Sequence, residues 1–415
     1  MLVTAITAIL MLIAGIGIFL VACQMMSSNL ESASSEHLKA LFSKVGNNKL
    51  IGVGIGALST AAIQSSGATT VMVIGFVNVG IMSLSQAATI IYGANIGTTI
   101  TAQIVALGLS SEGGLSTTAI FAAFAGIGAF IGLFSKRESW KTAGGILTGF
   151  GMLFVGLSMM SGSMEDFAQM DAVKVFLSSI SNPILLVLIG AIFTAIIQSS
   201  SVMTSVAITM VVTGLITLNQ GIYLTLGSNI GSCVVAIIAG MTSGKNAKRT
   251  ALMHLIFNCF GVVVFLLAAL VMYLVTNGQI SFGSIFENMF PNAPQVQLAM
   301  FHTIFNCLTV VIILPLTNLL VRTVCTIIPD KLSEEEGQAS KPHFYFVDDK
   351  MLRTPIIAVR QVKLEIEHMA AVAMHNYDIA VYMISSLDFR QKDDFNRNEA
   401  QLNYLCLLYT SPSPR

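Results

Sequence analysis

The chain repeats itself at a constant offset of 134 residues, and this internal duplication constrains the fold more than any other feature of the sequence. The segment GALSTAAIQSSGATT at 56–70 aligns with GAIFTAIIQSSSVMT at 190–204, and YGANIGTT at 92–99 aligns with LGSNIGSC at 226–233. One offset holds without a gap for about 90 residues, which chance similarity does not produce. The sequence therefore predicts two copies of one structural unit.

Apolar composition places both copies in a membrane. Hydrophobic residues make up 54% of the chain and charged residues 10%, whereas a soluble globular chain carries about 25% charged residues. Runs such as 117–134 and 251–275 contain no Asp, Glu, Lys or Arg and approach or exceed the roughly 20 helical residues that cross a bilayer. Residues 1–22 lack a basic start, so we expect a retained first span and not a cleaved signal peptide.

Charged loops predict that the two copies have opposite orientations. Loop 31–49 carries three lysines, whereas its counterpart 165–183 carries three acidic residues and one lysine. Loop 109–116 has no Lys or Arg, and its counterpart 242–250 has three. Because basic residues mark the cytoplasmic side, equivalent loops are expected on opposite sides. Such inverted repeats are typical of secondary transporters, whose sites lie near the middle of the membrane.

The predicted fold class is an all-α membrane protein with two inverted-topology repeats, re-entrant hairpins and a C-terminal cytoplasmic helical segment. One hairpin is expected at 50–66 and 67–82, opening to the cytoplasm, and the other at 184–216, opening to the outside; each has a QSS sequence at its tip. The other predicted spans are 3–25, 84–108, 117–135, 143–161, 218–241, 251–275 and 298–321.

Five segments are predicted along the chain. They are residues 1–135, the first half of the transport domain; 136–328, its second half; 329–350, a linker; 351–405, a partial helical domain; and 406–415, a tail that looks non-native because CLLYTSPSPR breaks the helical pattern.

Polar side chains gather at the two repeated motifs, and the spans themselves contain no Asp, Glu, Lys or Arg. A carboxylate proton relay is therefore not expected. A Ser at a hairpin tip can cap the helix that follows, and the free amides of that helix start form an anion site. Sodium instead needs neutral oxygens from amides, hydroxyls and carbonyls. The glycines around Asn95 and Asn229 are expected to weaken their helices and free carbonyls in a broken span.

Two alternatives stay open at these motifs. Ser, Thr and Gly in spans can simply allow close helix packing, although a duplicated Gln-plus-Ser cluster is harder to explain in this way. The related sequences HLIFNC at 254–259 and HTIFNC at 302–307 could ligate a metal or sense pH, or could form interhelical hydrogen bonds, which we favour.

Paired QSS motifs, each followed about 30 residues later by G-[AS]-N-I-G, resemble the bacterial branch of the type II sodium–phosphate cotransporter family, and the resemblance covers nearly all of residues 1–325. The resemblance implies sodium-coupled phosphate transport with both motifs in the substrate and sodium sites. Two positions depart from the family pattern: Gly67 replaces a third Ser, and Gly80 aligns with a position where electrogenic members carry Asp. The expected phosphate contacts are Ser65, Ser66, Thr69, Ser199, Ser200, Ser201 and Thr204. The expected sodium contacts are Gln64, Asn95, Thr98, Gln198, Asn229 and Ser232.

The polar C-terminal region is similar to the start of a PhoU-like helical domain. Thr354 and Pro355 form an expected helix start, and the amphipathic run at 356–374 follows. Metal-binding acidic motifs occur in such domains, but a solvated helix surface is the better interpretation of the candidates here. These candidates are Glu365, Glu367, His368 and Asp378.

Together these features predict sodium-coupled secondary transport of inorganic phosphate across a bacterial inner (cytoplasmic) membrane by a multi-pass protein with a cytoplasmic C-terminus. The alternatives are a membrane-anchored PhoU-like sensor, or a sodium symporter of another small anion. No enzyme activity, no cofactor and no metal beyond sodium as the coupling ion are expected. The expected partners are phosphate, sodium and the lipid bilayer, with no nucleic acid; a homodimer is compatible with the sequence.

Cysteine labelling tests the predicted orientation. In a background without the native cysteines, single cysteines at Glu112 and Glu165 should react with an impermeant maleimide from outside. Cysteines at Lys136 and Lys248 should react only from inside, because equivalent loops are expected on opposite sides. Labelling of any of the four from the other side would contradict inverted repeats.

Overall fold

The computed structural model describes residues 2–43, 46, 48–78, 80–109, 117–241, 243–329, 344–346 and 355–410, and all regular structure in these residues is α-helical. Positions 112 and 354, named in the sequence predictions, lie outside them, as does most of the predicted linker. The helices are α1 (Leu2–Ser43), α2 (Lys49–Ile63), α3 (Ser66–Asn78), α4 (Leu84–Gly108), α5 (Thr117–Phe134), α6 (Glu138–Ala168), α7 (Asp171–Ser179), α8 (Pro183–Ile197), α9 (Ser200–Val212), α10 (Leu218–Met241), α11 (Lys245–Thr276), α12 (Phe282–Met289), α13 (Pro294–Ile313), α14 (Thr317–Ile327), α15 (Pro355–Ser386) and α16 (Lys392–Thr410).

The chain separates into two compact units. The first comprises residues 1–78 and 82–328, and the second comprises residues 79–81 and 329–415. The first unit contains α1 to α14 and carries the duplication. The second contains α15 and α16.

The duplication is repeated in the helix boundaries. The helices α2, α3 and α4 begin at residues 49, 66 and 84, and α8, α9 and α10 begin at residues 183, 200 and 218, which is the same offset each time. An Asn caps the first helix of each set: Asn48 Oδ1 accepts from the Leu50 amide at 3.0 Å, and Asn182 Oδ1 accepts from the Ile184 amide at 2.9 Å. The two copies therefore share one local fold.

Each QSS sequence stops one helix and starts the next. Gln64 (φ 58°) and Gln198 (φ 60°) adopt the left-handed conformation and end α2 and α8. The hydroxyls of Thr60 and Thr69 lie 3.0 Å apart across this break, whereas nine residues of straight helix would separate them by about 13 Å. The chain of α3 thus folds back on α2, and the predicted short helices with QSS at their junction are confirmed.

Within the described residues, six helices are long and apolar enough to cross a membrane. They are Val3–Ala33, within α1, and α4, α6, α10, α11 and α13. The predicted span 117–135 corresponds to α5, which has 18 residues. The predicted span 298–321 is wrong as one continuous helix, because α13 ends at Ile313 and α14 begins at Thr317. Pro315 lies in this break, where it cannot supply an amide proton.

The prediction that glycines break α4 and α10 is also wrong, since both helices run without interruption. The glycines lie at close helix crossings instead. A Cβ added to Gly93 would collide with the Val53 carbonyl, and a Cβ on Gly56 would collide with the Ile90 carbonyl. The second copy repeats this arrangement between α8 and α10 at Gly190. Small residues here let two backbones approach closely.

In the second unit, Glu365 is fully buried and its carboxylate accepts from the amides of Tyr345 (3.3 Å) and Phe346 (2.7 Å). The expectation of a solvated surface is therefore wrong for Glu365, because its partners lie outside the helix and were invisible to helical periodicity. Glu367 and Asp378 are exposed as expected. The helical pattern also continues to Thr410 in α16, so the predicted interruption at position 406 is wrong.

Two neighbouring glycines of α2 give a matched test of the helix crossing. Gly56→Ala should lower the free energy of unfolding by about 1–3 kcal/mol, because the added methyl group must displace the α4 backbone. Gly54→Ala meets no atom within 4 Å and should be neutral or slightly stabilising. Thermal unfolding of the two purified variants in detergent compares them, and equal melting temperatures would contradict the close crossing.

Candidate functional site

Ser65 and Ser199 occupy the N-cap positions of α3 and α9. The Ser65 Oγ accepts from the Ala68 amide at 3.1 Å, and the Ser199 Oγ accepts from the Val202 amide at 3.4 Å. Each capping hydroxyl uses its oxygen for the helix and keeps its proton for another acceptor. The two half-buried serines can therefore stabilise the helix start and donate to an anion together.

The first amides of both helices point out of the helix start without an intrahelical acceptor. They belong to Ser66 and Gly67 in α3 and to Ser200 and Ser201 in α9. Ser200 is buried, whereas Ser66 and Ser201 are half-buried. Each tip thus combines outward amides, hydroxyl protons and the positive end of a helix dipole, which suits an anion.

The second helix of each hairpin packs against the opposite copy. The helix α3 of the first copy packs on α10 of the second, and α9 of the second packs on α4 of the first. At Gly67, at the start of α3, a Cβ would lie 3.4 Å from the Val235 side chain of α10. The duplication therefore packs α3 and α9 each on the helix of the other copy that carries the G-[AS]-N-I-G sequence.

Two threonines near the tips differ in their partners. The Thr69 hydroxyl donates to the Ser65 carbonyl at 3.1 Å and accepts from Thr60, so its proton is used inside the hairpin and the geometry does not support a phosphate contact. The Thr204 hydroxyl is buried and has no hydrogen-bond partner within the described part of the chain. Its counterpart Thr70 is in the same situation.

The two glutamines share a backbone conformation but not a side-chain environment. Gln64 donates from Nε2 to the Ala61 carbonyl at 2.5 Å, and its Oε1 accepts from the Thr101 hydroxyl at 2.9 Å. Gln198 is exposed, and the position equivalent to Thr101 is Val235. The side-chain amide of Gln64 is therefore hydrogen-bonded at both its nitrogen and its oxygen, whereas the position equivalent to Thr101 offers Gln198 no hydroxyl donor.

The other expected sodium contacts lie along α4 and α10. Asn95 is buried, and its Nδ2 donates to the Ile91 carbonyl at 2.9 Å. Thr98 is buried one turn further on. Ser232 is half-buried and donates to the Asn229 carbonyl at 2.7 Å. Each of the two helices therefore carries two of the expected oxygen-bearing side chains, three residues apart: Asn95 and Thr98 on α4, and Asn229 and Ser232 on α10.

Asn229 belongs to a buried network between α10 and α13. Its Nδ2 donates to Asn306 Oδ1 at 3.0 Å, and its Oδ1 lies 3.2 Å from His302 Nε2. Asn306 in turn donates to the His302 carbonyl at 2.9 Å. The interhelical hydrogen bonding favoured for the HTIFNC sequence is confirmed for His302, and one lone pair of Asn229 Oδ1 is left for a cation.

The HLIFNC sequence of α11 makes a weaker version of this contact. Asn258 Nδ2 donates to the Cys233 sulfur at 3.3 Å and to the His254 carbonyl at 3.1 Å. A thiol is a poor acceptor, so the two related sequences differ in how firmly they hold α10.

Sequence reasoning missed Thr101, which contacts Gln64 across 37 positions of sequence. A signal for it was present, because Asn95, Thr98 and Thr101 follow one another at three-residue spacing on α4 and residues at this spacing are neighbours on a helix. The expected site residues fall into two groups, at the hairpin tips and along α4 and α10, and their assignment to phosphate and sodium stays a prediction.

The chain matches one known protein family in both of its halves. The sequence profile of the family described as Na+/Pi-cotransporter matches residues 18–162 and again residues 155–289, and each region contains one QSS motif. No solved structure matches the chain.

Three relatives illustrate the range of the similarity. The uncharacterized protein YqeW of Bacillus subtilis (strain 168) is 31% identical over 280 residues, which is 67% of this chain and 84% of that protein. YjbB of Escherichia coli (strain K12), whose name gives inorganic phosphate export as a proposed role, is 30% identical over 55% of this chain and 41% of its own length. The human sodium-dependent phosphate transport protein 2B is 44% identical over 84 residues, 19% of this chain and 12% of that protein.

The paired HxxFN sequences give a matched test of the buried network. Asn306→Ala leaves the Asn229 amide without its acceptor and should lower the free energy of unfolding by about 1–3 kcal/mol. Asn258→Ala removes a contact to sulfur and should lower it less. Thermal unfolding in detergent measures both, and a smaller effect at Asn306 than at Asn258 would contradict the network.

Proposed function

We propose, because the chain belongs to the Na+/Pi-cotransporter family, that it carries inorganic phosphate across the bacterial cytoplasmic membrane in symport with sodium. The protein is an all-α, multi-pass membrane protein, and its family is a family of transporters. The two halves would then give alternating access by moving relative to each other around a site between the copies.

The observation that carries the proposal is the pair of capped helix starts at Ser65 and Ser199. Phosphate presents several acceptor oxygens, and each tip offers outward amides and hydroxyl protons without a positively charged side chain. Such donors stabilise a charged oxyanion by hydrogen bonds roughly twice as strong as neutral ones. Because they carry no full charge, the empty site costs little to keep in the membrane.

Sodium would be held by the neutral oxygens beside the tips. Hard cations take oxygen ligands, and amide and hydroxyl oxygens meet that need without an acid. Gln64, Asn95 and Thr98 supply them in the first copy, and Gln198, Asn229 and Ser232 supply them in the second. A sodium ion here also screens the charge of the nearby phosphate, which makes binding of the two ions mutually favourable.

The sensor alternative is less favoured, because a domain that only anchors a regulatory region has no need of two complete motifs. Another small oxyanion would use the same donors, and only competition separates it from phosphate. The direction of net flux follows the sodium and phosphate gradients in a symporter, so a relative named for export does not oppose symport.

Radiolabelled phosphate flux in proteoliposomes tests the proposal. An inward sodium gradient should drive uptake, and an outward gradient should drive efflux, whereas equal choline gradients should not. Absence of sodium-stimulated flux in both directions would overturn sodium–phosphate symport. Sulfate and arsenate added in excess report which oxyanions share the site.

The serines at the tips are expected to act on phosphate and not only on folding. Ser66→Ala and Ser200→Ala each remove a hydroxyl that does not cap its helix, and each should weaken phosphate binding by about 1–3 kcal/mol, roughly 5- to 150-fold. Ser65→Asp is the complementary variant, because Asp caps as well as Ser but adds a negative charge beside the anion. The Ser65→Asp variant should have the melting temperature of the wild type but no phosphate uptake. Wild-type phosphate affinity in all three variants would show that these serines serve only helix packing.

Charge balance follows from the absence of acids in the sequence of both hairpins and of the helices α4 and α10. Because moving a net charge through hydrocarbon is costly, the simplest stoichiometry is two sodium ions with one divalent phosphate. Gly80 and its counterpart Gly214, both at positive φ, supply no carboxylate for a further cation. Phosphate flux should therefore be unaffected by a clamped membrane potential, and a rise with an inside-negative potential would contradict electroneutral transport.

A further inference from the structure

The two QSS motifs have the same backbone conformation, but their glutamine side chains have different hydrogen-bond partners. This difference points to one additional residue. In both copies the backbone N–H of the glutamine donates to the backbone carbonyl of the threonine four residues earlier. The N–O distance is 2.7 Å for Gln64 and 2.6 Å for Gln198. Of the two glutamines, only Gln64 has a hydroxyl donor beside its side-chain oxygen within the described part of the chain. The backbone therefore cannot explain the difference between the two side chains.

Thr101 supplies that hydroxyl from α4. It is almost fully buried, and its Oγ1 lies 2.9 Å from Gln64 Oε1. Gln64 Nε2 is bound to the Ala61 carbonyl, so the amide oxygen has to turn towards α4. A hydroxyl that donates one proton still keeps two lone pairs, and Thr101 thus places a second neutral oxygen beside the first.

The counterpart of Thr101 in the second copy is Val235, whose side chain lies 3.4 Å from a Cβ built on Gly67 at the start of α3. The counterpart of Gly67 is Ser201 in α9, and α4 packs against α9. The similarity of the two copies therefore predicts that Thr101 lies near the start of α9.

We infer that Thr101 is a sodium-binding residue, which fixes the Gln64 amide with its oxygen towards α4 and contributes its own hydroxyl oxygen to the same ion. The inference rests on the proposed function and makes the two cation sites unequal. The first copy offers a preorganised pair of oxygens, whereas Gln198 has to be ordered by the ion itself. Preorganised ligands bind more tightly because less side-chain freedom is lost on binding.

Thr101→Val is the test variant, because it gives the first copy the residue that the second copy already has at position 235. Thr101→Ser keeps the hydroxyl. Thr99→Val is the matched control: Thr99 is also buried on α4, but its hydroxyl donates to the Ile96 carbonyl of its own helix at 2.8 Å.

Two measurements report on sodium. The first is the sodium concentration that gives half-maximal phosphate uptake, together with the phosphate KM at saturating sodium. The second is the melting temperature of the phosphate-free protein as choline is replaced by sodium at constant ionic strength, since a ligand of the folded state raises it.

Thr101→Val should raise the half-saturating sodium concentration at least about tenfold in both measurements, with an unchanged phosphate KM at saturating sodium. Thr101→Ser and Thr99→Val should stay near the wild type. An unchanged sodium requirement in Thr101→Val, or an equal shift in Thr99→Val, would overturn the role of Thr101 while the wild type still transports. Failure of the proposed function would be seen separately in the wild type, if sodium neither raised its melting temperature nor drove its phosphate uptake.

Discussion

The left-handed turn at Gln64 and Gln198 is the constraint on which the rest of the structure depends. It ends one helix and starts another inside an apolar region, where backbone groups without partners are costly. Ser65 and Ser199 offset part of that cost by capping, and the remaining amides of each new helix stay available. A continuous helix would leave no such amides free in its middle, so the proposed anion site depends on this interruption of the backbone.

The duplication supplies this arrangement twice, but the two copies have diverged in their side chains. The first copy holds its glutamine with Thr101, whereas the second holds Asn229 with His302 and Asn306. Gly67 stands where the second copy has Ser201, and it faces Val235 of the opposite copy. The two copies thus share a backbone but differ in the side chains that hold the Gln and Asn amides in place.

Much of this architecture could be predicted from the sequence, because the offset, the motifs and the caps are local signals. The helix breaks at the two QSS motifs, and the serines that cap the helices after them, were of this kind. The incorrect and missed predictions have a common physical cause, because they concern contacts with residues that are distant in sequence. The glycines near Asn95 were expected to break their helix, but they lie where α4 crosses α2. Thr101 was missed, although its three-residue spacing from Thr98 was visible in the sequence, because its contact with Gln64 spans 37 positions.

The proposed phosphate site is formed by two helix starts, one from each copy, that bind a single anion. A structure determined by electron cryomicroscopy with phosphate and sodium would test this arrangement. We expect one tetrahedral density within hydrogen-bonding distance of the first amides of both α3 and α9, with Ser66 and Ser200 beside it. Phosphate bound at only one tip, or away from both, would show that the two helix starts do not share one anion.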